Sequence, residues 1–226
     1  MAFSGYYGKE NIKALLAEDQ GYKRAVGGLW EEMGRLQLDF LISQGMKPCH
    51  TLLDIGCGTL RLGNLAARYL DPCNYWGTDL NDEFLDEGFK NEIIPQNLSG
   101  KLPRSHLISD IDFQFDGLPS KFDFIIAQSV FTHLPFNHLR LCLYNLCSHL
   151  ESSASFFFTI FFPTGESKYE KALQLSGIET YPHADPYHYD LEDIDFAAKG
   201  LPVTITYIGD WKHPRNQMMI KAEIEC

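Results

Sequence analysis

The sequence predicts an α/β fold, a doubly wound and mostly parallel sheet that ends in an antiparallel hairpin. Two observations carry this expectation. Between residues 51 and 162, short apolar runs of strand length alternate with segments whose apolar residues fall at helical spacing. Such alternation implies βαβ units with helices on both faces of a parallel sheet. The chain then closes with strand-like runs at 203–208 and 217–224 and no helix between them, the pattern of an antiparallel edge pair.

The elements follow in order. Residues 12–16 suit a short helix. Over 22–43, Val26, Leu29, Trp30, Met33, Leu36, Leu38, Phe40 and Leu41 fall at mostly helical spacing, and Gly45 and Pro48 end the run. A buried strand is expected at 51–55, a helix at 60–70, a strand at 75–78 and a helix at 81–92. Strands at 105–109 and 122–128, a helix at 136–150 and an apolar strand at 155–162 complete the alternation. After a helix at 191–199, the final hairpin brings the total to a seven-stranded, Rossmann-like sheet. Residues 163–189, rich in Gly, Pro, Tyr and His, are too long for a simple connection and read as a substrate-side excursion. The whole of 1–226 is expected to be one domain, with 1–45 as a helical cap.

Composition narrows the function. No apolar run approaches the ~20 residues that span a bilayer. The first residues carry neither a basic nor an apolar signal region, so a cytoplasmic address and no membrane partner are expected. A formal charge of −11 disfavours a nucleic-acid substrate, which requires a concentrated basic surface. The six cysteines, Cys49, Cys57, Cys73, Cys142, Cys147 and Cys226, show no metal-ligand spacing and read as free thiols. No metal is assigned, and the oligomeric state is open.

The chemistry concentrates at Leu52-Leu53-Asp54-Ile55-Gly56-Cys57-Gly58-Thr59, where the first strand turns into its helix. Glycines there let the backbone turn tightly and approach a ligand, and ligands of open α/β sheets bind beyond the carboxyl ends of the strands. Asp79, closing the next strand in Trp76-Gly77-Thr78-Asp79-Leu80, suits the hydroxyls of a ribose. A dinucleotide site needs a third glycine, and here that position is Arg61. Asp54 ahead of the glycines suits a cation better than a diphosphate. The pattern therefore fits a positively charged, phosphate-free nucleoside.

These residues resemble the first motif of the class I S-adenosylmethionine-dependent methyltransferases, in the form found among small-molecule enzymes. Asp79 is similar to that family's ribose ligand, and Ser109-Asp110-Ile111 to its adenine-binding position. Phe122-Asp123-Phe124-Ile125-Ile126-Ala127-Gln128-Ser129 and the following Val130-Phe131-Thr132-His133-Leu134 resemble its fourth-strand motif. The resemblance implies that Gly56, Cys57 and Gly58 line the methionine portion of S-adenosylmethionine and Asp54 orients its ammonium. It implies that Asp79, with Leu80 beside it, holds the ribose. Asp110 and Ile111 would then read adenine, and Gln128 and Ser129 flank the sulfonium. The family often has a glycine where this chain has Leu60, so a differently shaped loop is expected after Gly58. Arg61 has no role legible in the sequence.

Methyl transfer to a hydroxyl requires a base, and His133 and His188 are the candidates, with His183 and His213 nearby in the chain. The acceptor is expected to be a small molecule, methylated at oxygen; nitrogen and carboxyl acceptors stay open. The chain lacks the Pro-Pro-aromatic run of base-methylating amino methyltransferases after its fourth strand. Phe3, Tyr6, Tyr7, Tyr181, Tyr187 and Tyr189 can cover an apolar substrate or simply pack. Rival readings are an NAD-dependent oxidoreductase, disfavoured by Arg61, and a catalytically silent subunit that binds a protein partner.

Overall fold

Strand-length apolar runs become strands throughout the described residues, 9–165 and 167–225 of the computed structural model. Three helices, α1 (Lys9–Leu16), α2 (Gly21–Ala25) and α3 (Trp30–Ser43), precede β1 (Leu52–Ile55), α4 (Gly63–Tyr69), β2 (Tyr75–Asp79) and α5 (Asp82–Gly88). A π-helical turn at Phe89–Ile93 and a 3-10 turn at Arg104–His106 lead to β3 (Leu107–Ser109), β4 (Phe124–Ala127), α6 (Phe136–His149) and β5 (Ala154–Ile160). Within the excursion lie β6 (Ala172–Leu173) and β7 (Glu179–Thr180), followed by α7 (Leu191–Ala198), β8 (Val203–Asp210) and β9 (Met218–Ile224).

The main sheet has seven strands in the order β3-β2-β1-β4-β5-β9-β8. The pairs β2–β3, β1–β4 and β4–β5 are parallel, whereas β9 runs antiparallel to both β5 and β8. The fold is thus the Rossmann-like sheet with an antiparallel terminal hairpin that the alternation predicts. Backbone contacts group the chain into two units, residues 1–49 with 57–109 and residues 50–56 with 110–226.

In the first unit, the expected helix over 22–43 is broken. Gly27, Gly28 and Leu29 all take positive φ (84°, 65° and 50°), which ends α2 and restarts the chain as α3. Two consecutive glycines make such a break cheap. Ile12, Ala25 and Phe84 form a buried cluster with Leu15 and Leu16 packed on it, fixing α1 and α2 against α5. Arg104 ties the 3-10 turn to α5 through Asp82 (2.6 Å) and Asp86 (2.8 Å).

The second unit has its core at β5, where Phe156, Phe157 and Phe158 are fully buried. A strand covered on both faces reads as a continuous apolar run, and each such phenylalanine contributes about 2–3 kcal/mol of burial. Phe131 packs edge-on against Phe158 with centroids 5.5 Å apart. The excursion folds back on this core: the Tyr189 N–H donates to Phe161 O (2.9 Å) and the Tyr187 N–H to Thr132 O (2.7 Å). Asp190 and Asp193 form a reciprocal capping box that starts α7. Lys168, from the excursion, reaches Asp190 at 2.7 Å.

Candidate active site

In the first unit the glycine turn and the end of β2 are laced together. The Cys57 N–H donates to Thr78 O (2.9 Å), and the Gly58 N–H donates to Asp79 Oδ2 (2.9 Å). Asp79 Oδ1 accepts the Asn81 N–H at 2.9 Å. Asp79 is 9% exposed, and burial pushes its carboxyl from 3.8 up to about 6, against the opposing pull of the Asn81, Gly58 and Leu80 N–H groups. A carboxylate has about four acceptor sites, so with three N–H partners this one can still accept a hydroxyl proton. Leu80 beside it is half-buried. Asn81 is 5% exposed, and its side-chain Nδ2 is buried with no hydrogen-bond partner.

In the loop after Gly58, Leu60 takes φ 68°, the left-handed region that favours glycine, and is fully buried. The left-handed backbone costs roughly 1–2 kcal/mol. Burying the leucine side chain returns about as much or more. Gly58 itself (φ +55°) has no room for a side chain, since a Cβ would lie 2.4 Å from Val26 Cγ1.

The loop between α2 and α3 is pinned to the same turn. Thr59 Oγ1 donates to Tyr22 O (2.8 Å), and Arg61 Nη1 donates to Val26 O (2.8 Å) and Gly28 O (3.1 Å). Arg61 thus acquires a role that its sequence position did not reveal. It holds the broken-helix loop through backbone carbonyls that the glycine pair presents.

The second unit carries the other expected residues. Asp54 is buried at the end of β1, in register with Ile126 of β4. A Cβ on Gly56 (φ +70°) would lie 2.5 Å from Val130 Cγ2. Asp110 accepts the Gln114 N–H (3.0 Å) and the Phe115 N–H (2.9 Å), so its carboxylate organises a turn. Ile111 beside it is 58% exposed, an unusual setting for an isoleucine.

Gln128 and Ser129 join a buried polar network. The Ser129 N–H donates to Thr159 Oγ1 (2.8 Å), and Ser129 Oγ and Thr159 Oγ1 both donate to Gln217 Oε1 (2.9 and 2.7 Å). The Gln128 amide contacts Ser129 Oγ and lies 3.2 Å from His213 Nε2. The turn between β8 and β9 is thereby laced to the end of β4, a connection across 85 residues that spacing cannot reveal.

The two candidate bases have different fates. His133, on the turn after β4, places Nδ1 2.6 Å from Asp185 Oδ1, a carboxylate delivered by the excursion. Both groups are partly exposed. His188 is 2% exposed, with Nδ1 3.0 Å from Thr180 Oγ1 and Nε2 3.1 Å from Lys168 O. A carbonyl can only accept, so Nε2 carries the proton and Nδ1 accepts from the threonine. With both nitrogens committed inside the excursion, His188 is a packing and hydrogen-bonding residue there, which corrects its candidacy as a base.

Tyr189 likewise serves the framework, donating its hydroxyl to Leu134 O (2.7 Å) and stacking on Tyr187. Tyr181 donates to Glu179 Oε2. Phe3, Tyr6 and Tyr7 lie outside the described residues. Among the described residues no group of three His, Cys, Asp or Glu side chains is placed to hold a metal ion, and no helix is long and apolar enough to cross a membrane.

Known proteins share this fold. Residues 53–156 match the methyltransferase-domain family, a stretch that runs from the Asp54 turn into the start of β5. The magnesium protoporphyrin IX methyltransferase of Synechocystis PCC 6803, solved with bound S-adenosylmethionine, is similar in fold. It superposes with a TM-score of 0.62 at 15% identity, covering 97% of this chain and 93% of that one. An S-adenosylmethionine-dependent methyltransferase from Clostridium acetobutylicum gives 0.61 at 14% identity, over 91% and 96%. The amino pentose methyltransferase CalS10 of Micromonospora echinaspora gives 0.60 at 17%, over 90% and 95%. The matched segment is a methyltransferase domain, and the seven-stranded sheet is the fold of these S-adenosylmethionine-dependent enzymes.

Proposed function

We propose that this methyltransferase acts on the hydroxyl group of a small-molecule acceptor, with His133 as general base. The observation that carries the reading is the 2.6 Å contact between His133 Nδ1 and Asp185 Oδ1. A carboxylate facing Nδ1 places the ring proton there, so the lone pair of the neutral imidazole lies at Nε2. The same carboxylate stabilises the imidazolium formed when Nε2 takes a proton. An alcohol or phenol must lose its proton as the new C–O bond forms, and a carboxylate acceptor has none to lose. An oriented imidazole therefore serves a hydroxyl best.

When bound, S-adenosylmethionine supplies a methyl group carried on a sulfonium, and the sulfur leaves with the bonding electron pair. Asp79, with Leu80 beside it, would hold the ribose, and Asp110 and Ile111 the adenine, which would cover the exposed isoleucine. Gly56, Cys57 and Gly58 would line the methionine portion, and the buried Asp54 would meet its ammonium. Gln128 and Ser129, fixed by Thr159 and Gln217, would flank the sulfonium. A buried carboxylate already raised to about 6 suits such a role, because hydroxyl donors stabilise its charged form. Most of the barrier reduction then comes from alignment of the acceptor oxygen with the methyl group.

Support for a small acceptor comes from the net charge of −11 and from structural neighbours named for a porphyrin and an amino pentose. The test is mass spectrometry of a metabolite extract incubated with the enzyme and methyl-deuterated S-adenosylmethionine. Label should enter a small molecule at oxygen. Label found only in RNA or protein overturns the reading. On the acceptor so identified, His133→Gln should lower kcat roughly a hundredfold or more with S-adenosylhomocysteine affinity unchanged.

A further inference from the structure

The sheet ends at β8, which pairs with β9 on one side and closes the strand order on the other. The Glu225 N–H donates to Pro202 O (2.9 Å), which marks residues 202 and 225 as a hydrogen-bonded pair. Such pairs alternate along an antiparallel ladder. With Val203 opposite Ile224, the main chains of Thr204 and Thr206 therefore bond to β9. The N–H and C=O groups of Ile205 and Tyr207 point the other way, off the edge of the sheet. On the same outer side, the Val203 N–H turns back to Leu201 O (2.8 Å). Among the described residues, no other element supplies a backbone hydrogen bond to Ile205 or Tyr207. The side chains of Thr204, Thr206 and Tyr207 are exposed.

Edge strands ordinarily carry charges, proline or bulges that keep another strand from adding. Here Pro202 precedes the open stretch and a bulge between Tyr207 and Gly209 follows it. Between them stands Val203-Thr204-Ile205-Thr206-Tyr207, uncharged and made of the residue types that favour strands. A chain of net charge −11 repels its own copies over most of its surface, and this stretch lets two meet with no like charges opposed. Asp210, the one acid on the strand, lies beyond the bulge. The stretch is also its own complement. With a twofold axis at Thr206, Ile205 of one copy faces Tyr207 of the other, and each such pair exchanges both of its N–H···O bonds. Every outward group of Ile205 and Tyr207 is then matched in both copies. We propose that β8 is a homodimerisation edge, at which two copies join antiparallel and continue their seven-stranded sheets into one.

Sedimentation velocity of the full chain from about 1 to 100 µM tests the proposal, and wild type should pass from the mass of one chain to that of two. Thr206→Lys sets two like charges opposite each other at the axis and should weaken association roughly tenfold or more. Its side chain is exposed in the single chain, so urea unfolding at the dilute end should match wild type. Ile205→Pro removes an outward N–H that β9 does not use, a place where an edge strand tolerates proline, and should likewise leave single chains. Thr206→Cys gives the register. Opposed residues of a non-hydrogen-bonded pair lie about 4.5 Å apart at Cα, within disulfide reach. Mild oxidation should therefore join two copies through residue 206, seen as a linked peptide by mass spectrometry, whereas Thr204→Cys, two residues off the axis, should not link to itself. Wild type that stays single over the whole range overturns the proposal, whatever else binds the edge. A dimer that survives both Thr206→Lys and Ile205→Pro overturns β8 as its seat.

Discussion

Lowering the pH from 7 to 5 should weaken S-adenosylhomocysteine binding by an amount that Asp79 sets. Its carboxyl stands at about 6 in the fold, against 3.8 for an unperturbed aspartate. With that value the group is ~90% ionised at pH 7 and ~10% at pH 5, so Kd should rise roughly ninefold if only the carboxylate holds the ribose. An aspartate at 3.8 stays over ~90% ionised at pH 5 and predicts almost no change. Unfolding does not mimic the effect through this residue. A folded value above the unfolded one favours the native state below 3.8 and loses that contribution as pH rises through about 6. Acidification from pH 7 to 5 therefore strengthens the fold at Asp79, by ~1 kcal/mol. The assay is calorimetric titration at pH 5, 6 and 7 for wild type and Asp79→Asn, which has no carboxyl to titrate. Wild type should show the slope and Asp79→Asn should bind weakly and evenly. A flat wild type, or a slope that survives in the variant, refutes the reasoning.

Four further expectations concern the loop, the excursion and the turn after β4. Gly58→Ala should cost about 1–2 kcal/mol from its positive φ and a further ~1–3 from the clash with Val26. Adding Val26→Ala should recover part of the second term in urea unfolding, and no recovery would mean the clash is not there. Leu60→Gly relieves ~1–2 kcal/mol of left-handed strain but removes a buried side chain worth ~2–5, so the variant should be less stable, not more. His188→Ala removes the ring's hydrogen bonds to Thr180 Oγ1 and the Lys168 carbonyl and should lower the unfolding free energy by ~1–3 kcal/mol with S-adenosylhomocysteine affinity kept. His133→Ala, at a partly exposed site, should change stability by less than ~1 kcal/mol.

The sheet was legible because its signal is local. Strand-length apolar runs, such as the one containing Phe156–Phe158, keep their meaning in any surroundings, and the helix-free end of the chain marked the antiparallel pair. The helix over 22–43 misled because its apolar spacing continues through Gly27 and Gly28, and periodicity outweighed a glycine pair that was itself the signal of a break. Asp54, Gly56, Gly58 and Asp79 were legible as a cofactor motif, but what holds them was not. Val26 limits Gly58 from a distant segment, and Leu60 adopts a backbone conformation that no propensity assigns to leucine. His133 was visible as a candidate base, but its partner Asp185 lies 52 residues away and nothing in the spacing joins them. His188, by contrast, looked like its neighbours in sequence, and only burial with two committed nitrogens distinguishes it.

The central claim is that the carboxylate-led glycine turn holds the methionine portion of S-adenosylmethionine and Asp79 its ribose. A crystal structure of the enzyme with S-adenosylhomocysteine tests it most directly. The account predicts density for the ligand with its ribose hydroxyls within hydrogen-bond distance of the Asp79 carboxylate and its amino-acid end at the Gly56–Gly58 turn. A well-ordered ligand whose ribose lies away from Asp79 would contradict it.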